Sequence, residues 1–155
     1  MQAAIQAGNF DKAVIIGSST QVSTQTEALL KTELGNDNVL RISGNNRFIT
    51  SSMVADWESG ENVTASVQPS IMLDYANVSV VNGADGNFPD ALAGGPFCGH
   101  NGAVMLLTQD QMDNNNYTVH NNVVPHKDDI EIGYVIGGTA ALSELFEHYL
   151  ESLCQ

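Results

Sequence analysis

Short runs of β-branched and aliphatic residues alternate with stretches of helical period along most of this chain, and that alternation admits few folds. Residues 13–17 (AVIIG) read as a buried strand closed by Gly17. Thr24 and Glu27 fit a capping box for a helix that carries Ala28, Leu29 and Leu30 and ends at Gly35. Residues 39–42 give a second strand, and Thr50 offers an N-cap to a helix bearing Met53, Val54 and Trp57 that stops at Gly60. Residues 78–81, 103–107 and 133–136 supply further strands. In the last helix Leu142, Leu145, Phe146, Tyr149, Leu150 and Leu153 form one stripe of 3.6 period. Strands separated by helices predict an α/β domain over 1–155: a mostly parallel sheet of about five strands, flanked by helices on both faces. Two stretches interrupt the rhythm. Residues 61–77 contain Pro69 and a short helical turn at 70–73, whereas the Asn-rich 110–129 predicts a short helix plus a loop.

Charge removes several function classes. The formal net charge is -13, with only five Lys and Arg, so the chain lacks the clustered positive charge that nucleic acid or an anionic bilayer requires. No apolar run approaches the roughly 18 to 20 residues of a membrane span, so no membrane insertion is expected. Residues 1–9 lack the basic end and apolar stretch of a signal peptide. Cys98 and Cys154 permit one disulfide at most, lie in no CxxC pair, and read by default as buried free thiols. His100, His120, His126 and His148 show no metal-ligand spacing, and neither a metal nor another cofactor is expected. No Ser, His and Asp set, GxSxG motif or Cys-His pair supports catalysis.

One internal repeat stands out. At a fixed offset of 120, Ile16 matches Ile136, Gly17 matches Gly137, Val22 matches Leu142, Ser23 matches Ser143, Glu27 matches Glu147 and Leu30 matches Leu150. Both copies read strand, glycine turn, polar step, helix. Either two ordinary βα units coincide, or residues 13–35 are the tail of a preceding repeat and 38–153 a whole one.

Four blocks carry a family resemblance. Arg41-Ile42-Ser43-Gly44-Asn45-Asn46-Arg47-Phe48-Ile49-Thr50 is similar to an RISG-x-x-R-aromatic-x-T opening. Val80-Val81-Asn82-Gly83 followed by Asn87-Phe88-Pro89-Asp90-Ala91-Leu92-Ala93-Gly94 resembles a strand, small-residue turn and FPDALS-type helix start. Residues 103–108 (AVMLLT) stand where an A-P-I-L-L-T strand would, with Val104 in place of the proline. Tyr134-Val135-Ile136-Gly137-Gly138 with Leu142-Ser143 resembles a closing V-x-x-I-G-G-x-x-A-V-S. In this order the blocks resemble the cell wall binding repeat 2 family. Residues 61–77 are longer than that family's pattern, and Ser18 stands where the leading half-repeat would have its second glycine.

The resemblance implies a compact Toprim-like or Rossmann-like α/β module that is not an enzyme. It implies non-covalent anchoring of an exported surface protein to an anionic polymer of the bacterial cell wall, outside the cell. Such modules usually pack in threes, so a homotrimer or neighbouring repeats of the same chain are the expected protein partners. Two other readings stay open: an assembly spacer that binds no polymer, and a phosphate- or nucleotide-handling α/β enzyme.

The residues themselves suggest where an anion would sit. Arg41 and Arg47 share one seven-residue motif at a strand end and helix entry, and a guanidinium grips phosphate or carboxylate in bidentate fashion. The following helix N-terminus adds backbone N–H groups. Asn87, Phe88 and Asp90 belong to a glycine-rich turn before a helix, with Pro89 suited to its first position. The expected ligand-binding set is therefore Arg41, Arg47, Asn87, Phe88 and Asp90. The alternative is that one or both arginines pair internally with acids such as Asp90, with Arg41 the better candidate because it lies inside a strand.

Overall fold

The computed structural model describes residues 7–8, 10–62, 64–86 and 88–155. Its strands and helices run in the order β1 (Ala13–Ile16), α1 (Thr24–Leu34), β2 (Val39–Ile42), α2 (Arg47–Glu58), β3 (Asp74–Asn82), α3 (Phe88–Asn101), β4 (Ala103–Thr108), β5 (Ile132–Ile136) and α4 (Glu144–Leu153). A single π-helical turn over Val119–Val123 falls in the Asn-rich segment between β4 and β5.

Every strand pair is parallel, as the alternation predicts, but the expected single sheet is divided. β1 pairs with β2, and a separate sheet has the order β4-β3-β5. Side chains occupy the outward backbone groups of β4 at Leu107. Ser51 Oγ on α2 accepts from Leu107 N at 3.1 Å. Thr118 Oγ1 donates to Leu107 O at 2.5 Å. Those bonds take up a donor and an acceptor that an unpaired edge strand would otherwise offer to another chain.

β3 holds the centre. Val78, Ser79, Val80 and Val81 are all buried, which suits a strand paired on both sides. Against it pack Val104 and Leu106 of β4, Ala55 of α2, Val119 of the π turn, and Leu142 and Phe146 around the start of α4. Tyr149, Leu150 and Leu153 extend that packing along α4, so the helical stripe faces the core. Leu145 does not join it and is 64% exposed.

Local corrections concern caps. Ser23, not Thr24, caps α1, its side chain accepting from Thr26 N. Glu27 is thereby released to bond Lys31 and Arg41. α2 begins at Arg47 rather than near Thr50, because Asn46 Oδ1 accepts from Ile49 N at 2.9 Å. Thr50 lies within the first turn, where its hydroxyl donates to Asn46 O and accepts from Gly44 N. Residues 70–73 form a bend at 70–71 followed by irregular chain rather than a helical turn, and Leu73 N bonds Glu58 O at 2.8 Å. Cys98 is a buried free thiol, but Cys154 is exposed.

Arg41 joins the two-stranded sheet to α1. Its Nη1 donates to Gly17 O at 2.6 Å, Nη2 to Val22 O at 2.9 Å, and Nε to Glu27 Oε2 at 2.9 Å. Lys31 first, and then Arg41, hold the Glu27 carboxyl below its ordinary value of 4.5. A depressed carboxyl pKa means that this contribution is present above the ordinary value and is lost as pH falls through the lowered one. Replacing Arg41 by Ala removes two charge-assisted bonds to carbonyls, and we expect about 2 kcal/mol of destabilisation in urea melts. Hydrogen exchange should quicken over residues 13–34 before the three-stranded sheet opens. Unchanged exchange there would show that β1 and α1 do not depend on this side chain.

Candidate functional site

Parallel strands place their following loops at one edge, and in open α/β sheets that carboxyl edge is where ligands bind. Here it gathers the turn after β2, the turn from Gly83 toward Asp90, and the loops after β4 and β5. Two side chains, Asn82 and Asp110, tie those loops together. Asn82 Nδ2 donates to Ala141 O, while Asn82 Oδ1 accepts from Ala84 N at 2.7 Å. Asp110 Oδ1 accepts from Ser143 Oγ at 2.8 Å and from Ser143 N at 3.2 Å.

Arg47 stands at this edge as the first residue of α2. Its Nη1 donates to Gly83 O at 3.0 Å and meets Asp85 Oδ1 at 2.7 Å. The arginine side chain is 40% exposed and that of Asp85 86% exposed, so this ion pair is wet and weak. Gly83 lets the turn pack against β4 and α2, since a Cβ there would fall 2.9 Å from both Leu107 Cβ and a ring carbon of Phe48.

The structure distributes the expected residues unevenly. Arg47 reaches the turn after β3. Arg41 does not reach that corner, because its guanidinium is spent on Gly17, Val22 and Glu27. Phe88 opens α3 and Pro89 takes its second position, not its first. Asp90, in the first turn of α3, presses on the loop after β5, where a Cβ on Gly137 would lie 2.9 Å from Asp90 Oδ2. Gly137 has φ of 122°, a left-handed value that suits glycine. Asn87 lies outside the described residues. Glu27 pairs with Arg41 and Asp85 with Arg47.

Sequence reasoning missed a polar cluster at the opposite end of β3. Tyr75 Oη donates to Asp56 Oδ1 at 2.8 Å and accepts from Asn122 Nδ2 at 2.9 Å. His126 stacks on the Tyr75 ring with centroids 3.6 Å apart, and its Nε2 meets Glu61 Oε1 at 2.7 Å. Burial raises the Asp56 carboxyl above its ordinary range, against the lowering effect of the Tyr75 hydroxyl. Burial, and then Asp56, push Tyr75 well upward, so its phenol stays protonated and serves as a donor. No local spacing signals this cluster, because its members come from α2, β3 and the π turn.

These features define a parallel α/β module with its polar loops collected at one sheet edge. The chain belongs to the cell wall binding domain 2 (CWB2) family, whose model matches residues 41–147. Its fold is similar to that of Cwp6 from Clostridium difficile, with a TM-score of 0.74 and 23% identity over 98% of this chain. Cwp8 from Clostridium difficile has a TM-score of 0.63 and 23% identity over 94% of the chain. In both cases the chain spans 21% of the other protein's length. No curated protein sequence matches it. Among the described residues no helix is long and apolar enough to cross a membrane.

Tyr75→Phe removes the hydroxyl that satisfies both Asp56 and Asn122. We expect a loss of about 1 to 3 kcal/mol in equilibrium unfolding, the cost of stranding buried polar partners. A loss near zero would show that the cluster is solvated rather than structural.

Proposed function

We propose that this chain is a non-catalytic module that holds an anionic polymer of the bacterial wall at the Arg47 corner and so anchors a surface protein outside the cell. Membership of the cell wall binding family supports the general reading. The observation that carries the specific one is Arg47 at the N-terminus of α2, resting on an exposed aspartate. An ion pair with so exposed a carboxylate is screened by water and exchanges readily. A polymer phosphate or carboxylate displaces Asp85 and takes the same guanidinium, and the first turn of α2 adds its positive end. Phe88, Asp90 and Asn87 flank that position in the chain and complete the proposed contact set. Arg41 serves instead to hold the leading β1–α1 unit.

The charge of -13 supports a second reading, an assembly spacer that binds no polymer, since a polyanion approaching this domain is repelled everywhere except at such a corner. Pull-down on purified cell walls separates the two. Arg47→Ala should weaken binding by about 1 to 3 kcal/mol, and Arg47→Lys should recover only part of that, because an ammonium lacks the bidentate fork. Asp85→Asn should strengthen binding by removing the competitor, and added salt should weaken it throughout. Wall binding that ignores all three substitutions in folded protein would remove the corner from the site and leave the spacer reading.

A further inference from the structure

His126 is held by two partners that only accept hydrogen bonds. Its Nδ1 lies 2.7 Å from Asn122 O, and its Nε2 lies 2.7 Å from Glu61 Oε1. A carbonyl and a carboxylate have no proton to give, and a neutral imidazole carries one N–H for its two nitrogens. In the neutral ring one lone pair would face another at hydrogen-bond distance, whereas the imidazolium donates at both ends. The ring also lies flat on Tyr75, at an interplanar angle of 5°, and the π face of a phenol favours a cation.

The groups around the ring carry the complementary sign. Asp56 and Glu61 act on it from α2 and the turn that follows. Asp74 and Tyr75 at the start of β3, and Asp129 from the ring's own segment, line with it an open cleft of about 380 Å³. Lys127, next in the chain, is paired with Asp128 at 2.6 Å.

What the ring fastens is the path into β5. Residues 124–131 are turns and irregular chain. Their backbone bonds are local: His126 O accepts from Asp129 N at 2.9 Å and from Ile130 N at 3.1 Å, and Lys127 N meets Val124 O at 3.5 Å. Only at the end does Glu131 N reach Ala76 O, one residue before β5 begins. The side chain of His126 joins this segment at once to the π turn, to the turn after α2 and to β3.

We propose that His126 is a proton-operated latch: doubly protonated, it fixes residues 124–131 against the π turn and the turn after α2, and on losing a proton it lets that segment open while the central strands stay paired. The sign follows from the donors. Both bonds need the imidazolium, so the fastening belongs to the acidic side of the ring's titration and is lost as pH rises through it. The device is independent of what the Arg47 corner binds.

The test follows the full chain by nuclear magnetic resonance from about pH 5 to about pH 8, the range in which a histidine changes charge. At the acidic end both ring nitrogens of His126 should show the signature of protonated nitrogen. Amide exchange at Ile130 and Glu131, corrected for its intrinsic dependence on pH, should quicken about ten-fold as the ring titrates, the effect of losing one charge-assisted bond. Exchange at Val80 and Val81 should stay as it is. Glu61→Gln should keep the segment protected at the alkaline end, because a carboxamide can donate to the bared lone pair. His126→Phe keeps the stack and lacks both bonds, so it should exchange at the fast rate at every pH. A bare ring nitrogen on His126 while the segment is protected overturns the proposal. So does exchange at Ile130 and Glu131 that ignores pH, or that follows pH as steeply in either variant as in the parent chain.

Discussion

Parallel pairing is the constraint from which the rest of this structure follows. A strand parallel to its neighbour cannot be reached by a hairpin, so the chain must cross back over the sheet between strands. Each crossover delivers the next loop to the same edge. With β3 between β4 and β5, the turns near Gly83, Asp110 and Gly137 become spatial neighbours although they are far apart in sequence. Asn82 and Asp110 then bind them to one another through Ala141 and Ser143. The wet corner at Arg47 owes its position to this arrangement, as does the contact of Asp90 with the Gly137 turn.

The strands were legible because their apolar runs are short, β-branched and bounded by turn residues. The last helix was legible because one stripe recurs over three turns. Helix starts were less so: Ser23 stands beside Thr24, and Asn46 four residues before Thr50, and the backbone chooses between chemically similar caps by geometry that sequence does not state. The division into two sheets was not legible at all. Ser51 and Thr118 reach Leu107 from opposite directions in sequence, at the side of β4 where a fourth strand would sit, and no periodicity encodes that. At the candidate site, the motif located Arg47 correctly at a helix entry. The expectation that Arg41 was the better candidate for internal pairing also fits its geometry, although its acid is Glu27 rather than Asp90.

The cluster around Tyr75 shows what a small α/β domain does with polar groups it must bury. Asp56 alone would be costly there, and its raised carboxyl pKa records that cost. Tyr75 from β3, and Asn122 and the stacked His126 from the π turn and the residues just after it, supply its partners, so the cluster forms only when α2, β3 and the π turn are mutually in place. Such a network contributes less through its net energy than through its insistence on one arrangement of those segments.

The outer edge of β4, occupied at Leu107, has a consequence for how this molecule behaves in a crowd. A sheet with two bare sides can be extended from either, and repeated extension is the route from a soluble domain to a fibre. Ser51 and Thr118 occupy the outward N–H and C=O of Leu107 and so interrupt β4 as a template for that growth. The two sides of the three-stranded sheet therefore differ, because no described strand pairs with the outer side of β5.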